Sequence, residues 1–174
     1  DVLSTLPVRH FHNGLAEAVK EGLIRDPELF AIFEKDDYEE HLEEIIERCL
    51  RIKKEIVEND EKETGERKLL NFGHSYGHAF ESYFGMNGYY HGECVGLGMM
   101  TILNDEEIRE RLRKVLERLE LPTECSYEPG KILELMKTDK KTDHDHITIV
   151  QGDEIGKGYL EDWSFEKVGK KLGL

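Results

Sequence analysis

The sequence predicts a mainly α-helical domain with one small β-hairpin near its C-terminus. Three observations predict it. Apolar residues recur at helical spacing through most of the chain. The period changes to two only in HITIVQGDEIGKGYLE, where alternation and glycines mark a hairpin. A length of 174 residues, 38% hydrophobic and 36% charged, suits one globular domain with its own core rather than a disordered chain.

The elements follow in order. NGLAEAVKEGLI (13–24) reads as a helix with Asn13 as a candidate N-cap. Pro27 opens a short helix in DPELFAIFE. The clearest helix is 38–59, where Leu42, Ile45, Ile46, Cys49, Ile52, Ile56 and Val57 form one stripe. After the loop NDEKETGE, residues 67–84 read as a single helix, followed by a GMNG turn. The apolar run from Cys94 to Leu103, within a helix over 91–103, is half the length of a membrane span and broken by glycines, so it reads as a buried helix. Residues 105–119 form an amphipathic surface helix ending before Pro122, residues 129–136 a short one, and FEKVGKKLG the last. No internal repeat or low-complexity linker interrupts them.

The net charge of −14 repels nucleic acid and anionic membranes, so neither is expected as a partner. A small anionic ligand would need a local basic cluster. Cys49, Cys94 and Cys125 are odd in number and form no CxxC pair, which reads as reduced, mostly buried thiols in a cytoplasmic protein. The N-terminus has no signal-peptide pattern.

Three features depart from an ordinary helical bundle. Glu17 and Lys20, three apart, project on one side of their helix, as a surface ion pair or as part of a site. Lys53 lies on the apolar stripe of its helix, so it either snorkels to water or meets an anion in a buried site. Arg67, Asn71, His74 and His78 recur at i, i+4, i+7 and i+11, an all-polar stripe opposite Leu69, Leu70, Phe80 and Phe84. Gly73 and Gly77 leave room for a close approach beside its histidines. A solvated face would show Lys and Glu pairs; a cation, an amide and two imidazoles suit a site. His91 opens the next helix, and two histidines with a carboxylate and an open fourth position is a catalytic zinc arrangement that Glu17, His74 and His91 can supply. His144 and His146, flanking Asp145, and His10 with His12 have the two-residue spacing of strand ligands, but both pairs read as exposed polar loop residues.

The runs TLPVRHFHNGLAEAVKEGLI, KKEIVENDEKETGERKLLNFGHSYGHAFE, YHGECVGLGM and LMKTDKK occur in this order from Thr5 to about Lys141. Together they resemble the 3-dehydroquinate synthase family, and the EIG turn of the hairpin agrees. Ser75 stands where threonine is common, and the stretch between Met100 and Glu107 is short for the family. The resemblance implies the helical C-terminal domain of the dehydroquinate synthase-like fold across residues 1–174, its N-terminal NAD-binding domain lying outside this chain.

It also implies conversion of 3-deoxy-D-arabino-heptulosonate 7-phosphate into 3-dehydroquinate and phosphate, a shikimate-pathway step that uses NAD and a divalent metal, zinc or cobalt. Glu17, His74 and His91 correspond to the metal ligands. Lys20, Lys53, Arg67, Asn71 and His78 correspond to the catalytic set, with His78 moving protons. Lys53, Arg67, Asn71, His78, Lys140 and Lys141 correspond to residues that hold substrate carboxylate and phosphate. The chain alone is expected to be inactive, the full-length enzyme a cytoplasmic homodimer. Rival readings are a sister cyclase such as 2-deoxy-scyllo-inosose synthase, the C-terminal half of an iron-containing alcohol or glycerol dehydrogenase, and a non-enzymatic helical module. The carboxylate-side set and the LNFGHSYGHAFE run favour the first family.

Overall fold

Helix α5 (His91–Ile102) organises the fold, and its composition says why. Apart from His91 and Glu93 at its start, HGECVGLGMMTI is apolar or small all round, so from Gly92 to Met100 the helix is buried on every side. Helix α1 (Val8–Ile24) packs on one side of it and helix α4 (His74–Phe84) on another. Two glycines set how closely they pack. A Cβ at Gly92 would lie 2.0 Å from the carbonyl oxygen of Asn13 on α1, and one at Gly98 would lie 2.0 Å from that of Gly73, the residue before α4. In the computed structural model, residues 3–60, 65–85, 88–139 and 146–174 are described.

The remaining elements surround this trio. Helix α2 (Pro27–Phe33) starts at Asp26, whose carboxylate accepts from the Glu28 and Leu29 amides. Helix α3 (Leu42–Asn59) lies against α1. Helix α6 (Glu106–Arg118) is capped by Asp105, and helix α7 (Pro129–Asp139) packs on α4. Strands β1 (His146–Gln151) and β2 (Tyr159–Ser164) pair antiparallel, with Ile147 opposite Trp163 and Ile149 opposite Glu161. Helix α8 (Phe165–Leu172) follows at once, capped by Ser164. The mainly helical fold with a C-terminal hairpin is the one the sequence predicts. Among the described residues no helix is long and apolar enough to cross a membrane.

Local departures have physical causes. Asn13 does not cap α1, which begins five residues earlier after Pro7. It caps α5 instead: its side-chain oxygen accepts from the Gly92 amide at 2.7 Å and the Glu93 amide at 3.3 Å. The expected helix 38–59 is a 3-10 turn, Tyr38–His41, running into α3. On its stripe, Ile45, Ile52 and Ile56 are buried, whereas Ile46 and Val57 are exposed. The expected single helix 67–84 is two pieces: a 3-10 helix, Glu66–Asn71, then α4, divided at Gly73 with φ +76°. Arg67 and Asn71 therefore do not share a helical stripe with His74 and His78. Gly73 must be glycine both for this left-handed backbone and because α5 presses on it. What approaches beside the histidines is thus the α5 backbone. His10 and His12 lie on α1 rather than in a loop; His10 stacks on Tyr90, and buried His12 lies 3.3 Å from the Tyr38 hydroxyl.

The hairpin loop holds the other end of α1. The Gly156 and Gly158 amides donate to the carbonyls of Leu23 and Ile24, each at 2.8 Å. Cys94 is buried and Cys49 and Cys125 half-buried; all three are free. Burial pushes the Cys49 and Cys94 thiols up to about 12 and that of Cys125 up to about 11, so none is a reactive thiolate at neutral pH.

Replacing Asn13 with alanine leaves two amides of the first turn of α5 without their acceptor. The expected cost is ~1 kcal/mol, read as a lower midpoint in urea unfolding; an unchanged midpoint would contradict the capping role.

Candidate metal centre

Three helices each place one potential ligand at the same point. Asn13 fastens α1 to the start of α5, and Glu17 stands one turn further on, so its carboxylate reaches over the first residue of α5, His91. Gly73 turns the chain so that His74 opens α4 on the other side. Ligand atoms of Glu17, His74 and His91 all lie within 4.8 Å of one another. The Nε2 atoms of both histidines are 3.3 Å from Glu17 Oε1.

The two carboxylate oxygens of Glu17 have different surroundings. Lys20, buried to 2% exposure, holds Oε2 at 2.5 Å. The pair is therefore an interior one, not the surface ion pair that the spacing left open. Oε1 is buried and has no hydrogen-bond partner among the described residues. Burial pushes the Glu17 carboxyl up, but His74 and Lys20 pull it down harder and hold it below the usual carboxylate range. His74 Nδ1 is 3.1 Å from the Phe72 carbonyl, which can only accept, so Nδ1 carries a proton and Nε2 is the nitrogen left to face Glu17. A buried carboxylate oxygen 3.3 Å from two imidazole nitrogens suits a divalent cation, which would take the place of a proton between them. Glu17, His74 and His91 are the residues that could hold it.

A groove of about 290 Å3 runs from this point between α1 and α3, lined by Glu17, Glu21 and Lys53 and by apolar side chains including Leu6, Ile46 and Leu50. Lys53 is half-exposed, and its amine lies 3.3 Å from an oxygen of Glu21, which is fully buried. So Lys53 does meet an anion, but one supplied by the protein. Burial opposes its charge; Glu21 and Glu17 outweigh that and hold it above the usual lysine range. Burial pushes the Glu21 carboxyl up despite Lys53. Arg67 and Asn71 lie on the 3-10 helix that packs against α1 and α3, where Asp60 accepts from the Gly65 and Arg67 amides. His78 is exposed, its ring centroid 5.6 Å from that of His74 and 6.1 Å from that of His91. Lys140, Lys141, His144 and Asp145 lie outside the described residues; His146 opens β1, exposed.

Sequence reasoning missed three supporting residues. Glu93 is buried, accepts from the Tyr90 amide at 2.7 Å and from Nε and Nη2 of Arg9, bracing the turn that carries His91. Glu21 sits one turn after Glu17 on the same face, a spacing that was visible. Glu81, three after His78, is 3.0 Å from His91 Nδ1, and His78, Glu81 and His91 form a second group with ligand atoms within 4.8 Å.

Fold and site together define a helical domain with a candidate divalent-metal cluster beside a largely apolar groove that Glu17, Glu21 and Lys53 line. The chain belongs to the 3-dehydroquinate synthase family: the model of its C-terminal domain, "3-dehydroquinate synthase C-terminal", matches residues 14–142. Among curated relatives, the 3-dehydroquinate synthase of Clostridium acetobutylicum is 40% identical over 98% of this chain and 51% of its own length. That of Clostridium beijerinckii is 39% identical over 95% of this chain and 51% of its own. The chain thus spans about half the length of the curated relatives it matches. Two solved structures share the fold. A 2-epi-5-epi-valiolone synthase from Streptomyces hygroscopicus with NAD+ and Zn2+ bound superposes with a TM-score of 0.81 at 24% identity, over 98% of this chain and 52% of that one. A 2-deoxy-scyllo-inosose synthase complexed with carbaglucose-6-phosphate, NAD+ and Co2+ gives 0.78 at 20% identity, over 97% and 53%.

Proposed function

We propose that this chain is the metal- and substrate-binding part of an enzyme that converts 3-deoxy-D-arabino-heptulosonate 7-phosphate into 3-dehydroquinate and phosphate. The observation that carries the reading is the meeting of Glu17, His74 and His91 at the head of a groove bearing Lys53, in a chain of this family. A bound zinc or cobalt ion would supply positive charge that draws substrate hydroxyls and lowers an alcohol pKa. Lys20 holds one oxygen of Glu17 and so leaves the other turned toward the histidines. Lys53 exchanges its contact with Glu21 for the substrate anion, and Arg67, Asn71, Lys140 and Lys141 add the donors that a carboxylate and a phosphate need. In this reading those side chains let so acidic a chain hold an anionic sugar phosphate. His78, exposed beside the two ligand histidines, handles protons.

NAD, as the hydride acceptor and donor, is held mainly by the rest of the protein, an N-terminal NAD-binding domain that completes the site. Exposed Leu3, Leu6, Ile46 and Leu50 along the groove support a partner surface there. The intact protein is a cytoplasmic homodimer in this reading.

The test is phosphate release. The intact protein with NAD, Zn2+ and 3-deoxy-D-arabino-heptulosonate 7-phosphate should release phosphate and lose that activity on His91→Ala; the 174-residue chain by itself should release none. Release by this chain unaided would overturn the division of labour. Release only from a sugar 6-phosphate lacking a carboxylate would favour the 2-deoxy-scyllo-inosose synthase reading.

A further inference from the structure

We infer that Glu81 is a positioning residue for the metal: it fixes the tautomer and the ring orientation of His91. The inference rests on reading Glu17, His74 and His91 as ligands, and the geometry extends that reading. One face of the His91 ring looks inward, with Nε2 3.3 Å from Glu17 Oε1. The other nitrogen, Nδ1, is 3.0 Å from Glu81 Oε1. An ionised carboxylate only accepts, so the proton of a neutral ring belongs on Nδ1 and the lone pair on Nε2, aimed at the ligand cluster. His74 reaches the same tautomer by another device, its Nδ1 lying 3.1 Å from the Phe72 carbonyl. Each histidine of the cluster therefore has an acceptor behind it. Such partners orient metal-bound imidazoles and raise their basicity.

Two features separate this contact from an incidental surface pair. Glu81 and His91 sit on α4 and α5, whose separation is set by backbone contact at Gly73, Gly77 and Gly98, so the reach between them is fixed. And His91 is half-exposed at the first position of its helix, its ring set against those of His74 and His78 rather than in the apolar core.

The same atoms allow a competing assignment, a second ion held by His78, Glu81 and His91. That ion would take Nδ1 of a ring whose Nε2 serves the first, so the imidazole would have to lose its last proton. The hydrogen bond needs no such loss and is already at hydrogen-bonding distance.

The experiment is Zn2+ titration of the chain and of Glu81→Ala, Glu81→Gln and His91→Ala, with circular dichroism to establish that each is folded. Glu81→Ala should weaken Zn2+ binding about 10–100-fold. Glu81→Gln, which keeps an accepting oxygen, should lose less. Nitrogen-15 spectra of the metal-free chain should show His91 protonated on Nδ1, and a tautomer mixture in Glu81→Ala, a change that loss of a merely structural contact would not produce. If His91→Ala abolishes binding while Glu81→Ala stays within about twofold of the parent, the role given to Glu81 is wrong. If His91→Ala changes nothing, the ligand set itself is wrong. If the parent takes up two ions and Glu81→Ala only one, the competing assignment stands instead.

Discussion

His74→Ala is expected to lose Zn2+ binding by well over the ~100-fold that removing an orienting partner costs. Only one of the two imidazoles then remains beside Glu17. The substitution also leaves Glu17 Oε1 buried without the neighbour that pulls its carboxyl down. Elemental analysis of dialysed protein reads the loss directly. His78→Ala is the matched control: it removes an exposed imidazole on the same helix whose ring lies 5.6 Å from that of His74 and which is not one of the three proposed ligands. Its metal content should stay at the parental level. Equal metal in the parent and His74→Ala would mean that the three side chains meet for another reason, and would favour a non-enzymatic helical module.

Gly98→Ala is expected to be among the most damaging single methyl additions in the fold. Its Cβ would lie 2.0 Å from the Gly73 carbonyl oxygen and 3.0 Å from both the Gly73 carbonyl carbon and the Gly77 nitrogen. All three are backbone atoms, so no rotamer change relieves the clash and α4 and α5 must separate. We expect a loss of about 3 kcal/mol or more, at the upper end for overpacking. In a domain of this size that corresponds to a fall in Tm of roughly 6–12 °C, read by thermal circular dichroism. Since α4 starts at His74 and α5 at His91, Zn2+ affinity should fall with it. Gly130→Ala, with nothing within 4 Å of its Cβ position, should leave Tm unchanged or slightly raised. A Tm for Gly98→Ala like that of Gly130→Ala would refute the close packing.

Helix positions were legible because apolar period survives in the sequence: Ile45, Ile52 and Ile56 are both a stripe on paper and a buried face in the molecule. The break at Gly73 was not, because an i, i+4, i+7, i+11 pattern continues across it unchanged. A left-handed residue interrupts a helix without altering which side chains are polar. Asn13 shows a second limit. Its type signals capping, and it does cap, but the amide it accepts from lies 79 residues away, which spacing cannot express. For the site, the polar residues of the 67–78 stripe stood out because they break the rule for a solvated face. Glu81 and Glu93 did not, since a glutamate on a helix is unremarkable until its partner is known. Lys53 was legible as an anomaly and its partner Glu21 was not, for the same reason.

The attachment of α1 at both ends, by Asn13 to α5 and by the hairpin loop at Leu23 and Ile24, has a consequence for folding. Glu17 can face His74 and His91 only after segments from the start, middle and end of the chain have come together, so the cluster belongs to the native state and to no local fragment of it. A metal ion bound there would select that state over the unfolded ensemble. At a free concentration 100 times its Kd it would add about 2.7 kcal/mol to the free energy of unfolding. The metal would then be a thermodynamic clasp on the whole chain as much as a reagent.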